Sequence, residues 1–400
     1  MQELLATREG RNTLFDALAL QPADSLLALI GAYRGDPRAE KIDVGVGVYR
    51  TPEGDTPIMR AVKAAERRLL EGQSTKGYLG PEGDVGYVEL LKPIIFGGQA
   101  FDGRLSGLQT PGGTGALRLA SELVARARPG ARIWVGGPTW PNHPPIFKAA
   151  GLTVAEYRHF DIARQELAFA EVLAALNAAE AGDVALLHGC CHNPTGADFT
   201  VAQWEAIAAK LAERSVMPLI DLAYQGLGID LETDVAGVRR LLDIVGEGLV
   251  AYSCDKNFGL YRERVGALYA LSANADTAQV VHSNMLALTR ANWSMPPDHG
   301  AAIVRVILED PALTADWRAE LAEMSRRIRA IRSMLASADP LLAPLARQHG
   351  MFSTLALTPG DVARLRESHG IYMPSSGRIN IAGLTERTAP AFVAALASLR

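Results

Sequence analysis

The sequence predicts an α/β fold built on a mainly parallel sheet. From Gly107 onward, short apolar runs alternate with long amphipathic stretches. Each run ends in small or polar residues, as buried strands do where they leave a core. Alternation of this kind is the pattern of strand–helix units that place neighbouring strands parallel.

Residues 1–13 are polar and mixed in charge, and read as a loose leader. Strands are expected at 132–136, 184–188, 217–221, 249–253 and 265–271, and helices at 115–127, 168–180, 201–214 and 235–244. The tail changes character. A long Ala/Arg/Glu/Leu-rich helical stretch covers 313–336, followed by a strand pattern from Met351 to Leu357, a helix over 360–369 and a strand from Arg378 to Ala382. This mixture predicts a smaller α+β domain formed by 14–55 with 313–400, beside a large domain over 56–312. No internal repeat or low-complexity segment interrupts the pattern.

The chain has 400 residues, 48% of them hydrophobic, enough for a sizeable core. A formal net charge of −4 lacks the basic surplus that a nucleic-acid backbone requires. No apolar run reaches the length of a membrane span. Met1-Gln2-Glu3-Leu4-Leu5 has neither the basic nor the apolar region of a secretory signal. The cysteines are Cys190, Cys191 and Cys254, an odd count with two adjacent, which fits a reducing compartment. A cytoplasmic globular protein is expected, with neither nucleic acid nor membrane as partner.

Ligands of parallel α/β sheets gather at the carboxyl ends of the strands. Those ends carry Trp140 with His143, His188 to Gly196, Asp221 with Tyr224, and Ser253 with Lys256. Alone, Asp221 is as readily a helix cap and Lys256 a solvated lysine. Together they match what a pyridinium cofactor needs. An amine near neutrality can form a Schiff base, and an anion keeps the ring nitrogen protonated as an electron sink. Thr110-Pro111-Gly112-Gly113-Thr114-Gly115 opens a helix, where free amides favour a phosphate. That turn is weak by itself, since it lacks a P-loop lysine and Gly-x-Gly-x-x-Gly spacing. Gly45-x-Gly47 marks a close backbone approach or a tight bend. The eight histidines form no convincing metal site, and no nucleophile elbow occurs.

With these residues in place, the chain resembles the class I, fold-type I aminotransferases of the aspartate and aromatic amino acid group, from about Phe15 to the end. The resemblance rests on Gly45-Val46-Gly47-Val48-Tyr49, Gln109 to Arg118, Pro138-Thr139-Trp140-Pro141-Asn142-His143, His188 to Gly196, Ala223-Tyr224-Gln225-Gly226, Lys256 to Tyr261, Glu263-Arg264-Val265-Gly266 and Ser376-Gly377-Arg378. It implies a seven-stranded, mainly parallel sheet in the large domain and pyridoxal 5'-phosphate (PLP) as cofactor.

The family's site residues then fall on named positions. Lys256 would form the Schiff base and move the substrate proton. Asp221 would pair with the ring nitrogen, oriented by His143. Tyr224 and Asn193 would meet the ring oxygen, and Trp140 would stack on the ring. Gly113, Thr114, Ser253 and Arg264 would hold the phosphate, with Tyr78 reaching in from a partner subunit. Arg378 would clamp the substrate α-carboxylate, helped by Asn193 and Gly47. Arg290, from the partner, would meet a distal carboxylate, with Met295 beside it. Bidentate pairing is why both clamps are arginine. A site shared across subunits implies an obligate homodimer.

Two positions depart from the family. Asp255 stands where serine usually contacts the phosphate, and a carboxylate there would repel the dianion by roughly 1–4 kcal/mol at about 4 Å. Asp255 is therefore expected to turn away, to pair with Arg264 or another cation, or to be protonated. Met295 replaces a common asparagine and makes that side of the pocket less polar and more adaptable. The reaction implied is ping-pong exchange of an amino group between an aromatic amino acid or aspartate and 2-oxoglutarate. A strictly aspartate-selective enzyme, a PLP lyase or decarboxylase, and a PLP-free homologue are the alternatives.

Overall fold

The computed structural model describes residues 14–21 and 25–400, and the expected leader over 1–13 lies outside them. Its centre is a seven-stranded sheet. In chain order the strands and principal helices are β1 (Leu105–Pro111), α1 (Gly112–Ala127), β2 (Arg132–Gly137), α2 (His143–Ala149), β3 (Thr153–Arg158), β4 (Val184–His188), α3 (Val201–Arg214), β5 (Met217–Leu222), β6 (Gly248–Ser253), β7 (Val265–Leu271), α4 (Ala275–Asn292) and α5 (Pro311–Ala338). Across the sheet the order is β1-β7-β6-β5-β4-β2-β3. Only β7 runs against its neighbours, pairing antiparallel with both β1 and β6.

Side chains of a strand alternate between faces, and here both faces are covered. Leu186, Leu219, Ala251 and Leu268 point into one apolar cluster. Their neighbours Leu187, Ile220, Val250 and Ala267 point into the other. This two-sided burial explains the continuous apolar runs. The strands expected over 132–136, 184–188, 217–221, 249–253 and 265–271 all form within a residue or so. Strands β1 and β3 are not among the expected runs. Edge strand β3 is half-exposed along Thr153–Arg158, so it carries no apolar run to find.

Helix α3 begins at a capping box, in which the Thr200 side chain accepts from the Gln203 amide and the Gln203 side chain accepts from that of Thr200. Helix α5 starts where the Asp310 carboxylate accepts from Ala312 N and Leu313 N. It buries Trp317, Leu321, Met324, Ile328, Ile331 and Leu335, a stripe at alternating spacings of four and three. Trp317 stacks on Phe258, with ring centroids 4.3 Å apart, and its Nε1 donates to Asn257 O. The long helix thus pins the loop that follows Lys256.

The last third is mixed α and β. Ile42 and Asp43 pair parallel with Ile371 and Tyr372, while Phe352–Thr354 pairs antiparallel with Arg378–Asn380. The second strand stops at Asn380 because its side chain accepts from Ala382 N and starts a tight turn, so it is shorter than the sequence pattern.

Candidate active site

Register brings the chemistry together. His188 is opposite Asp221 at the carboxyl ends of β4 and β5, and Ser253, at the carboxyl end of β6, is opposite Gly266 near the start of antiparallel β7. Around these ends lies a cavity of about 320 Å³. Gly47, Gly113, Thr114, Trp140, Asn193, Asp221, Tyr224, Ser253, Lys256, Arg264 and Arg378 all line it. These residues come from positions more than 300 apart in the chain. Helix α1 points its start at the cavity and has no side-chain cap there, so first-turn amides at Gly113 and Thr114 face it. A Cβ at Gly113 would press on the Ser253 side chain at 3.1 Å, which keeps this wall glycine.

Asp221 is buried, and its Oδ2 accepts from fully buried His143 at 3.1 Å. Burial alone raises a carboxyl group. The His143 hydrogen bond, with the field of His143, His188 and Lys256, more than reverses this and holds Asp221 below the usual range. Behind His143, Thr139 Oγ1 bridges His143 Nδ1 at 2.8 Å and His188 Nε2 at 3.1 Å. Asn193 donates to Tyr224 Oη at 3.3 Å, and burial followed by Asp221 pushes the Tyr224 phenol up.

Burial lowers the Lys256 amine, Asp255 and Asp221 oppose this, and Arg264 adds to the lowering. A larger share is then free amine at neutral pH. Its Nζ sits over the Tyr224 ring, 5.2 Å from the centroid. Asp255 takes one of its expected courses: buried, it pairs through Oδ2 with Arg264 Nη1, while Oδ1 accepts from Val265 N. Arg378 is clamped from below, donating to Gly45 O at 2.6 Å with its guanidinium 4.8 Å from the Phe352 centroid.

Four predicted residues do not line this cavity, and one of them, His143, stands behind Asp221 as expected. Tyr78, Arg290 and Met295 gather instead in a second cleft of about 430 Å³, with Leu79 N donating to Met295 Sδ at 3.0 Å. The Tyr78 side chain is 96% exposed there. Sequence reasoning gave no role to Thr139, Tyr261 or Phe352. Thr139 lies inside a quoted motif, but its bridging between two histidines depends on a contact across 49 residues.

Burial drives the His188 ring down to about 3 and that of His159 down to about 4. The unfolded chain binds these protons first, so stability is full above about pH 6.5 and is lost as pH falls toward the folded values. By pH 5 each ring costs about 2 kcal/mol. Thermal unfolding at pH 7 and pH 5 should show this, and His159→Phe should flatten the acid limb by about one proton.

Among the described residues, Cys190, Cys191 and Asp234 could together approach a metal. Asp234 already accepts from the amides of Gly226, Gly228 and Ile229, which gives it a structural task.

The family model for aminotransferases of class I and II matches residues 39–396. The chain is a class I and II aminotransferase. This aminotransferase is 55% identical to the tyrosine aminotransferase of Rhizobium meliloti, covering 93% of this chain and 96% of that one. It is 44% identical to the aspartate aminotransferase of Escherichia coli over 93% of this chain and 96% of that one. Its fold superposes on an aromatic amino acid aminotransferase solved with 3-indolebutyric acid, with a TM-score of 0.93, 46% identity, and coverage of 96% and 99%. An aromatic amino acid aminotransferase from Burkholderia pseudomallei, described as covalently bound to pyridoxal phosphate, gives 0.94 at 38% identity, covering 97% and 99%. The aminotransferase has no helix, among its described residues, long and apolar enough to cross a membrane.

Proposed function

We propose that the protein is a cytoplasmic, homodimeric PLP-dependent aminotransferase that exchanges the amino group of an aromatic amino acid or aspartate with 2-oxoglutarate. The observation that carries it is the convergence of Lys256, Asp221 and Arg378 on one cavity. The cavity's donor set fits PLP. Asn193 Oδ1 and Arg378 Nε, on residues lining it, are buried without hydrogen-bond partners, and the cation Arg264 lies beside the start of α1. When bound, PLP supplies a sink for the electrons released as an amino acid loses its α-hydrogen.

The chain's own residues do the rest. Lys256 would hold the cofactor, and once the substrate amine has displaced it, its own amine, lowered by burial, would take the α-proton and return it. Asp221, kept ionised and oriented by His143, would pair with the ring nitrogen. Tyr224 and Asn193 would hydrogen-bond the ring oxygen, and Trp140 would pack against the ring. Gly113, Thr114, Ser253 and Arg264 would hold the phosphate. Arg378 pairs with the α-carboxylate beside Gly47 and Asn193, its free Nε available to complete a two-point contact. In domain terms, 56–312 carries the cofactor side, while 14–55 with 313–400 delivers Gly47 and Arg378.

The separate Tyr78–Arg290–Met295 cleft supports a shared site: exposed on its own chain, it would serve a partner's cavity. Mixing Lys256→Ala subunits with Arg290→Ala subunits should then restore one intact site per hybrid dimer, about a quarter of wild-type aspartate activity. No restoration would place both residues in one chain's site. Three buried free thiols support a reducing compartment.

Met295 beside Arg290 supports dual specificity, a flexible thioether next to a carboxylate clamp. Single-turnover production of the matching 2-oxo acid from aspartate, tyrosine, phenylalanine and tryptophan tests this. Turnover of aspartate with no aromatic substrate would leave an aspartate-selective enzyme. Asp255 pairs with Arg264 and would share it with the phosphate, so Asp255→Ser should tighten PLP binding at least about fivefold. Dialysis against buffer and absorbance of retained cofactor would show it, and unchanged retention would count against it.

A further inference from the structure

Behind Asp221 runs a column of four buried imidazoles. His143 lies 5.2 Å from His188, His188 lies 3.9 Å from His192, and His192 stacks flat on His159 at 4.1 Å. His159 follows β3, far from the cavity in sequence, and is 3% exposed. Glycine at 136 admits it, since a Cβ there would meet His159 Cβ at 2.7 Å. The Ala197 backbone acts on the ring in the sense of an acceptor, raising its pKa against burial, and Nε2 is left buried without a partner. His159, His188, His192 and Thr139 line a small cavity of about 10 Å³. That is close to the space one water requires.

We infer that His159 is a positioning residue for Asp221, acting through one buried water held between His159 Nε2 and His188 Nδ1. Tautomers decide the geometry. A neutral imidazole has one donor and one acceptor nitrogen. With Nδ1–H of His159 at the Ala197 carbonyl, Nε2 can only accept. His188 gives Nε2–H to Thr139, so its Nδ1 can only accept. One water donates to both. Thr139, having accepted from His188, gives its hydroxyl proton to His143 Nδ1, and His143 gives Nε2–H to Asp221. Every donor between the water and Asp221 then points toward the carboxylate. Low pKa values at His159 and His188 agree with uncharged rings. His192 supports the column by stacking, its Nδ1 being occupied by Thr195. The functional meaning of this orientation rests on the reading that Asp221 faces the PLP ring nitrogen, but the water and the tautomers do not.

Nitrogen-15 histidine NMR on the PLP-loaded protein tests it. In the unaltered protein His188 should show a protonated Nε2 and a bare Nδ1, and the ring protons of His159 and His188 should both cross-relax with a long-lived water. Absence of that water, or a protonated Nδ1 on His188, overturns the inference without any substitution. In His159→Phe the water contact at His188 should vanish, and the downfield His143 Nε2 proton should exchange with solvent at least about tenfold faster. His159→Gln, whose amide oxygen can accept from the water, should restore both. Unchanged signals in His159→Phe would overturn the positioning role. Cofactor absorbance, measured separately, reports on the PLP reading itself: its failure with the water signals intact would sink that reading alone.

Discussion

Replacing Lys256 with alanine should lower kcat for transamination of aspartate by more than about 10⁴-fold. On the proposed function the lysine would have two tasks, covalent attachment and proton transfer at the α-carbon, and among the described residues no other lysine lines the cavity. Its position is built for the second. Burial lowers its pKa, Asp255 and Asp221 temper this, and the Tyr224 ring fixes its Nζ at 5.2 Å. The variant should remain folded, because Phe258 and Trp317 anchor the loop independently of the amine. Coupled detection of the oxo-acid product measures the loss, and circular dichroism checks the fold. Activity within tenfold of wild type would remove Lys256 from the chemistry.

Asp221→Ala should cost about 10³-fold in kcat with a smaller change in KM. A neighbouring anion shifts a pKa by about 1–3 units, and each unit is about 1.4 kcal/mol. Without Asp221 the ring nitrogen would lose its proton and the electron sink would weaken. The same change leaves His143 Nε2–H buried with no acceptor. Asp221→Glu keeps the charge and should recover part of the rate. A loss confined to KM would make Asp221 a binding group and not an electronic one.

Much of this was legible in residue order. The strand ends were visible because three of the buried runs stop at His188, Asp221 and Ser253, and Asp221 after Pro218-Leu219-Ile220 is the clearest case. Strand β3 was invisible because an edge strand need not be apolar. Three courses are open to Asp255 from sequence, which shows that a carboxylate is out of place but not which cation meets it. Arg264 settles it only because the chain turns back at a left-handed residue (φ +55) nine positions later. The histidine column was beyond reach, as His159 and His192 touch only when β3 and the loop after β4 are brought side by side.

The sequence by itself determined the α/β alternation, the aminotransferase class and the residues proposed to carry the chemistry, because burial periodicity and residue type are local properties. Tertiary structure alone decided which groups meet: Asp255 with Arg264, Arg378 with Phe352, four imidazoles in a column, and Tyr78 with Arg290 outside the cavity. These pairings depend on strand register and helix docking, and both are fixed by long-range packing that no single segment encodes.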